Sequence, residues 1–234
     1  MSQSKPQLLP RKKPLQNRSV VTVEAIYDAT IQVLLDAGMD RLTTTRVAER
    51  AGVSVGTLYQ YFPNKSALLA GALYRHLSTV VEAVERACSD ASGSAIETMA
   101  EAVVTAFADA KLRDAPTSKA LYGIAAEVDG AKVVANMSQR AMAAMSRMLT
   151  SATGVRFADP ATVAYVWSTC LIGPVQGLLE SSPDKETVVK IRTQLIRLSV
   201  RYLVGEAEPS QPGTRCRQRE GERGARAPRT RPSR

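Results

Sequence analysis

From Val47 to Leu58 the chain reads Val-Ala-Glu-Arg-Ala-Gly-Val-Ser-Val-Gly-Thr-Leu, with Ala48, Gly52 and Leu58 at the spacing Ala-x3-Gly-x5-Leu. Two short helices joined by a sharp turn satisfy that pattern. Ala48 is small where a second helix crosses close above the first. Gly52 supplies the left-handed backbone that turns the chain, a conformation that costs other residues roughly 1–2 kcal/mol. Val53 and Leu58 fill the wedge between the helices, and Val47 faces a preceding helix. Thr43, Thr44 and Thr45 lie where the earlier helix needs a cap, and Ser54 lies where the later one does. A hydroxyl there accepts a hydrogen bond from a free backbone N–H.

The remainder is helical in pattern from Val20 to about Val204, without alternating β-type runs. Val23, Ile26, Thr30, Val33, Leu34 and Ala37 make one apolar stripe on a first helix, which Gly38 closes. Short helices are predicted from about Thr45 to Ala51 and from Ser54 to Phe62. Asn64 caps a long helix running from Lys65 to about Ser89. Further helices are expected over about 95–112, 116–129, 131–152, 160–180 and 184–204. The expected fold is all-α, about nine helices, with a small N-terminal domain at 19–66 and a larger helical body at 67–204.

Charge lies at the ends. Residues 1–18 hold Lys5, Arg11, Lys12, Lys13 and Arg18 and no acid, and residues 205–234 hold eight Arg against four Glu. Residues 19–204 are neutral, so the net charge of +9 belongs to the two tails. Both tails lack apolar periodicity and read as disordered, the first as an arm attracted to phosphate. A single His (His76) and three scattered Cys (Cys88, Cys170, Cys216) leave no material for a disulfide framework, a Cys-based zinc site or Ser-His-Asp catalysis. No phosphate-cradling glycine motif is present. No cofactor, metal or enzymatic activity is expected. No apolar run approaches a membrane span, no secretory signal is recognisable, and a cytoplasmic protein is the expectation.

Around the turn, Leu42-Thr43-Thr44-Thr45-Arg46 and Thr57-Leu58-Tyr59-Gln60-Tyr61-Phe62-Pro63-Asn64-Lys65 resemble the TetR family of transcriptional regulators. The resemblance is strong over about Arg18–Leu69 and architectural beyond. It implies a helix-turn-helix whose second helix enters the major groove of double-stranded DNA. Carried over residue by residue, it gives Thr44 and Thr45 a phosphate or base-edge contact. Ser54, Val55, Gly56 and Thr57 become the leading edge of the recognition helix. Tyr59 and Tyr61 become groove or phosphate contacts, Gln60 the base-edge reader, and Lys65 a phosphate grip. Val55 and Gly56 are poor in polar groups, which shifts specificity toward thymine methyls and DNA shape. Residues 19–66 are net −1, so Arg11, Lys12, Lys13 and Arg18 are expected to assist.

The resemblance also implies a homodimer and a small-molecule pocket in the body. Met99, Val103, Phe107, Tyr122, Met137, Met145, Met148 and Trp167 are the apolar candidates for its lining, with ordinary core as the alternative. Asp109 and Glu127 are candidates to face a cationic effector. Val166, Thr169, Cys170, Gly173, Gly177 and Leu178 on the eighth helix fit a dimer interface, as do Val188, Ile191, Leu195, Leu198 and Tyr202 on the ninth; packing within one subunit is the alternative. The implied function is a repressor on a palindromic operator, released by an apolar small-molecule effector. Two other classes stay open: a basic-tailed protein binding DNA without sequence preference, and a helical enzyme with a similar N-terminal domain. The enzyme needs a clustered acid/base or metal constellation in residues 68–204, and the sequence offers none.

Overall fold

Apolar residues at three- and four-residue intervals wind the first stretch into α1 (Asn17–Arg41), and Gly38, with φ 74°, breaks it where the stripe ends. The computed structural model describes residues 17–127 and 130–210. Two short helices follow, α2 (Thr44–Arg50) and α3 (Val55–Tyr61), then the long α4 (Lys65–Asp90). The body adds α5 (Ile96–Leu112), α6 (Ala115–Glu127), α7 (Ala131–Thr150), α8 (Pro160–Ser181) and α9 (Lys185–Glu206). The expected caps are in place: Thr43, Ser54 and Asn64 each accept a backbone N–H three residues on.

Two apolar cores form. The first gathers Ile26 and Val33 of α1, Val47 and Ala48 of α2, and Leu58 and Phe62 around Leu68, Leu69 and Leu73 of α4; Leu121 and Ile124 of α6 close it. The second holds Val84 and Cys88 of α4, Met99 and Val103 of α5, Met145 and Met148 of α7, Trp167 and Leu171 of α8, and Leu195 and Leu203 of α9. α4 thus belongs to both, and α6 reaches from the body into the first. Close approach fixes the α1–α4 seam: a Cβ on Gly71 would lie 2.7 Å from the Tyr27 hydroxyl oxygen. Arg75 of α4 pairs with Glu24 at 2.8 Å and Asp28 at 2.7 Å of α1.

Two expectations need correction. Residues 205–210 are not part of a structureless tail: α9 runs to Glu206, and β2 (Ala207–Pro209) pairs antiparallel with β1 (Val155–Phe157). Main-chain pairing, buried Phe157 and an Arg156–Glu208 ion pair hold these residues, signals too short to show as periodicity. Also, α8 is long and apolar enough by length and composition to cross a bilayer. Its apolar side, including Val163, Trp167, Leu171 and Val175, lies inside the protein core. The basic residues of 1–16 and the tail from 211 onward, with Cys216, lie outside the described residues, as do the side chains of Arg18 and Glu127.

Candidate nucleic-acid interface and the cavity behind it

The turn between α2 and α3 is built as its sequence requires. Gly52 has φ 68°, and the Val53 N–H returns to the Ala48 carbonyl at 3.0 Å. Ser54 Oγ accepts the Thr57 N–H at 3.0 Å and lies 2.9 Å from the Thr57 hydroxyl. Leu58 and Phe62 are fully buried, and the Tyr27 ring sits 5.3 Å from that of Phe62. One side of α3 is therefore anchored, and Ser54, Gly56, Tyr59 and Gln60 are left exposed on the other. Tyr59 is 44% exposed, and its hydroxyl meets Thr44 Oγ1 at 3.1 Å, so the ring is displayed while its tip is held by α2. Thr45 is exposed, whereas Thr44, Val55, Thr57 and Lys65 are half-buried. Tyr61 is half-buried against the first core.

The basic residues of this domain are engaged within it. Arg50 pairs with Asp36 at 2.7 Å, and Arg46 donates to the Arg41 carbonyl at 3.0 Å. Lys65 Nζ donates to the Met39 carbonyl at 3.2 Å, tying the start of α4 to the end of α1. An ammonium has three donors, so this bond uses one of the three that Lys65 carries.

Behind this domain, α4, α5, α6, α7 and α8 line a partly open cavity of about 250 Å³. Val80, Val84, Val103, Phe107, Met145 and Leu171 give it an apolar wall; His76, Lys111, Ser118 and Tyr122 are the chemically distinct members. Lys111 is only 3% exposed, and its ammonium lies 4.4 Å from the Tyr122 ring centroid. Burial pulls its pKa down to about 8. Burial, then the nearby Lys111 charge, lower the His76 pKa to about 4, against an opposing pull from Asp114. Ser118 Oγ donates to the Lys111 carbonyl at 2.7 Å and lies 3.1 Å from His76 Nε2. One hydroxyl has one proton, so the neutral imidazole donates from Nε2 to that oxygen.

Residues 26–72 match the family described as Bacterial regulatory proteins, tetR family, and residues 96–203 match that described as Tetracyclin repressor-like, C-terminal domain. The chain belongs to the TetR family. The chain is 44% identical over 62 residues to the HTH-type transcriptional repressor KstR of Mycolicibacterium smegmatis, covering 26% of this chain and 30% of that one. It is 50% identical over 46 residues to the Tetracycline repressor protein class C of Escherichia coli, covering 20% of this chain and 21% of that one. The aligned part thus spans under a third of the length of these curated relatives. A putative TetR-family regulator from Mesorhizobium loti superposes with TM-score 0.67 at 17% identity, covering 82% of this chain and 99% of that one. The fatty acid degradation regulator FadR of Bacillus halodurans superposes with TM-score 0.61 at 18% identity, covering 82% and 96%. At such identities these likenesses show the TetR fold alone.

Within that fold, Val103, Phe107, Tyr122, Met137 and Met145 line the cavity. Met99, Met148 and Trp167 do not: they are fully buried in the second core, where Trp167 Nε1 donates to Ser199 Oγ at 2.8 Å. Asp109 is exposed and holds Arg192 at 3.1 Å rather than facing the cavity. Lys111 and His76 are absent from the lining expected from sequence. Val103, Phe107 and Lys111, four apart, carry the signal that places Lys111 on the inward stripe. Of the expected dimer residues, Cys170, Gly173, Gly177 and Leu198 are exposed, and Val188, Ile191 and Tyr202 are half-buried. Leu178 and Leu195 are buried within the single chain, Leu195 at 4% exposure, and so belong to its own packing.

Proposed function

We propose that this protein is a sequence-specific, double-stranded-DNA-binding transcriptional regulator acting in the cytoplasm as a homodimer. In this reading it represses from a roughly palindromic operator and is released when a small molecule occupies the cavity. The observation that carries the DNA-binding reading is the displayed side of α3. Ser54, Gly56, Tyr59 and Gln60 are exposed while Leu58 and Phe62 lock the opposite side into the core. A short rod fixed this way presents its leading residues to a major groove without having to order itself on contact. Gln60 is the base-edge reader in this proposal, since its amide both donates and accepts. Tyr59, Tyr61, Thr44, Thr45 and Lys65 position the helix on the backbone, and the basic residues of 1–18 add phosphate contacts.

Ligand release is supported by shared walls. Leu73 and Leu121 belong both to the core of the DNA-binding domain and to the cavity lining, so an occupant that displaces them acts on α1 packing directly. Dimerisation is assigned to the outward side of α8 and α9, with Cys170, Gly173, Gly177 and Leu198 at the contact and Val188, Ile191 and Tyr202 at its margin. A Cβ at Gly173 or Gly177 would meet nothing within 4 Å in the single chain, which leaves room for a partner helix to approach closely.

The test starts from genomic fragments captured by the purified full chain. A recovered site and its scrambled counterpart are then titrated across salt in a mobility-shift assay. The matched duplex is expected to hold an advantage of roughly 10³-fold or more. Tyr59→Ala is expected to weaken binding to both duplexes, and Gln60→Ala to erode the advantage itself. Equal affinity for the two duplexes at every salt concentration would instead favour the non-specific class.

A further inference from the structure

We propose that the cavity is built for an effector with an apolar body and a carboxylate head, with the head held by the Lys111 ammonium beside Ser118 and Tyr122. This rests on the reading of the cavity as the effector site.

Lys111 is the reason. A lysine side chain normally escapes to water along its flexible stem, and almost none is fully buried unless paired. This one lines the same cavity as Phe107, Leu121 and Met145 at 3% exposure. Among the described residues no carboxylate pairs with it. Asp109 of the same helix is taken by Arg192 at 3.1 Å, and Asp114 accepts the Thr117 N–H at 3.2 Å. Its partner is the Tyr122 ring face at 4.4 Å, which attracts a cation but fills none of its hydrogen-bonding capacity. His76 does not serve as a counter-ion either. An imidazole carries no negative charge, and burial together with the nearby Lys111 charge keeps this one neutral. Packing gives no reason for the charge, since methionine would occupy similar volume without the penalty of burying an ion.

The remaining wall sets the rest of the ligand. Val80, Val84, Val103, Met145 and Leu171 are apolar and offer a chain or ring no hydrogen bond. At about 250 Å³ the space falls just under the usual range of small-molecule sites, roughly 300–1,000 Å³, so the occupant is small. A carboxylate at Lys111 gains a charge-assisted hydrogen bond in a low-dielectric setting and neutralises a buried charge. A cationic effector meets the same lysine as a like charge and is rejected.

Calorimetric titration of the DNA-free full chain near neutral pH tests this with three probes of matched tail: decanoate, decanol and decylamine. Decanoate is expected to bind at least roughly tenfold tighter than decanol, with decylamine weaker than both. Lys111→Met, with its fold checked by circular dichroism, is expected to lose the preference and bind decanol at least as well as decanoate. Lys111→Arg is expected to keep it. The proposal is overturned if wild type binds decanol or decylamine as tightly as decanoate, if it binds none of the three, or if Lys111→Met still prefers decanoate. Release of a bound duplex is read separately by mobility shift. Decanoate binding without release upholds this site and counts against ligand-released repression.

Discussion

At the scale of single residues, burial moves Lys111 and His76 the same way: it penalises the charged form and lowers both pKa values. For His76 the folded value is about 4 against an ordinary 6.5. Between those values the unfolded chain holds more protons, so stability is whole above the window and falls as pH drops through it. For Lys111 the folded value is about 8 against 10.5, so stability climbs as pH rises across that interval. The groups bearing on the pair are Asp114, which opposes the shift of His76, and Tyr122, whose own pKa burial raises. Urea unfolding against pH checks both windows. His76→Gln is expected to flatten the acid one, and an unchanged slope there would mean His76 is not held neutral. Lys111→Met is expected to stabilise the empty protein near neutral pH by about 1–3 kcal/mol, lost cation–π attraction included. Neither residue was legible in sequence as part of the cavity. A lysine among apolar residues reads as a solvated edge, and a lone histidine on a long helix carries no sign of what crosses it.

At the scale of elements, the helix-turn-helix was the most legible part, because each of its constraints is local. Gly52 sets a backbone conformation, Ser54 and Thr43 supply caps, and Leu58 with Phe62 marks the buried side, all within a few residues. The long body helices were legible in extent but not in facing. On α9 the inward row is Leu195, Ser199 and Leu203, all buried. Ser199 interrupts the apolar pattern and so hides the row. Its hydroxyl is satisfied inside, donating to the Leu195 carbonyl at 2.7 Å and accepting from Trp167. Leu195 and Leu198, one turn apart, therefore part company: the first is 4% exposed and the second 48%. Leu198→Glu is expected to leave a folded chain of monomer mass by light scattering. Leu195→Glu is expected to lower stability by several kcal/mol through an unpaired buried charge. Monomers from Leu195→Glu with full stability, or an intact dimer from Leu198→Glu, would move the interface off this side of α9.

At the scale of the whole molecule, the proposed release requires an occupied cavity to reach α3, and α6 is the element that spans the two. Leu121 and Ile124 of α6 lie in the core of the DNA-binding domain, while Ser118 and Tyr122 of the same helix stand beside Lys111. α4 makes the same double connection through Leu73 and His76, and Arg75 between them is clamped to Glu24 and Asp28 of α1. Sequence periodicity shows that α6 has an apolar side, but not that this side is divided between two cores, since that depends on contacts between segments nearly a hundred residues apart. A ligand head that draws the Lys111 ammonium off the Tyr122 ring disturbs a helix whose packing is shared with α1. The effect on DNA is therefore a coupling free energy, and coupling is reciprocal. Decanoate is expected to weaken operator affinity by a factor within the usual 5–150-fold range, and saturating operator duplex to weaken decanoate affinity by that same factor. Calorimetry of decanoate with and without duplex, beside mobility shifts with and without decanoate, supplies both numbers. Leu121→Ala, which thins the wall the two cores share, is expected to bring both ratios toward one together. If Leu121→Ala left both ratios at their wild-type values, transmission through α6 would not account for release.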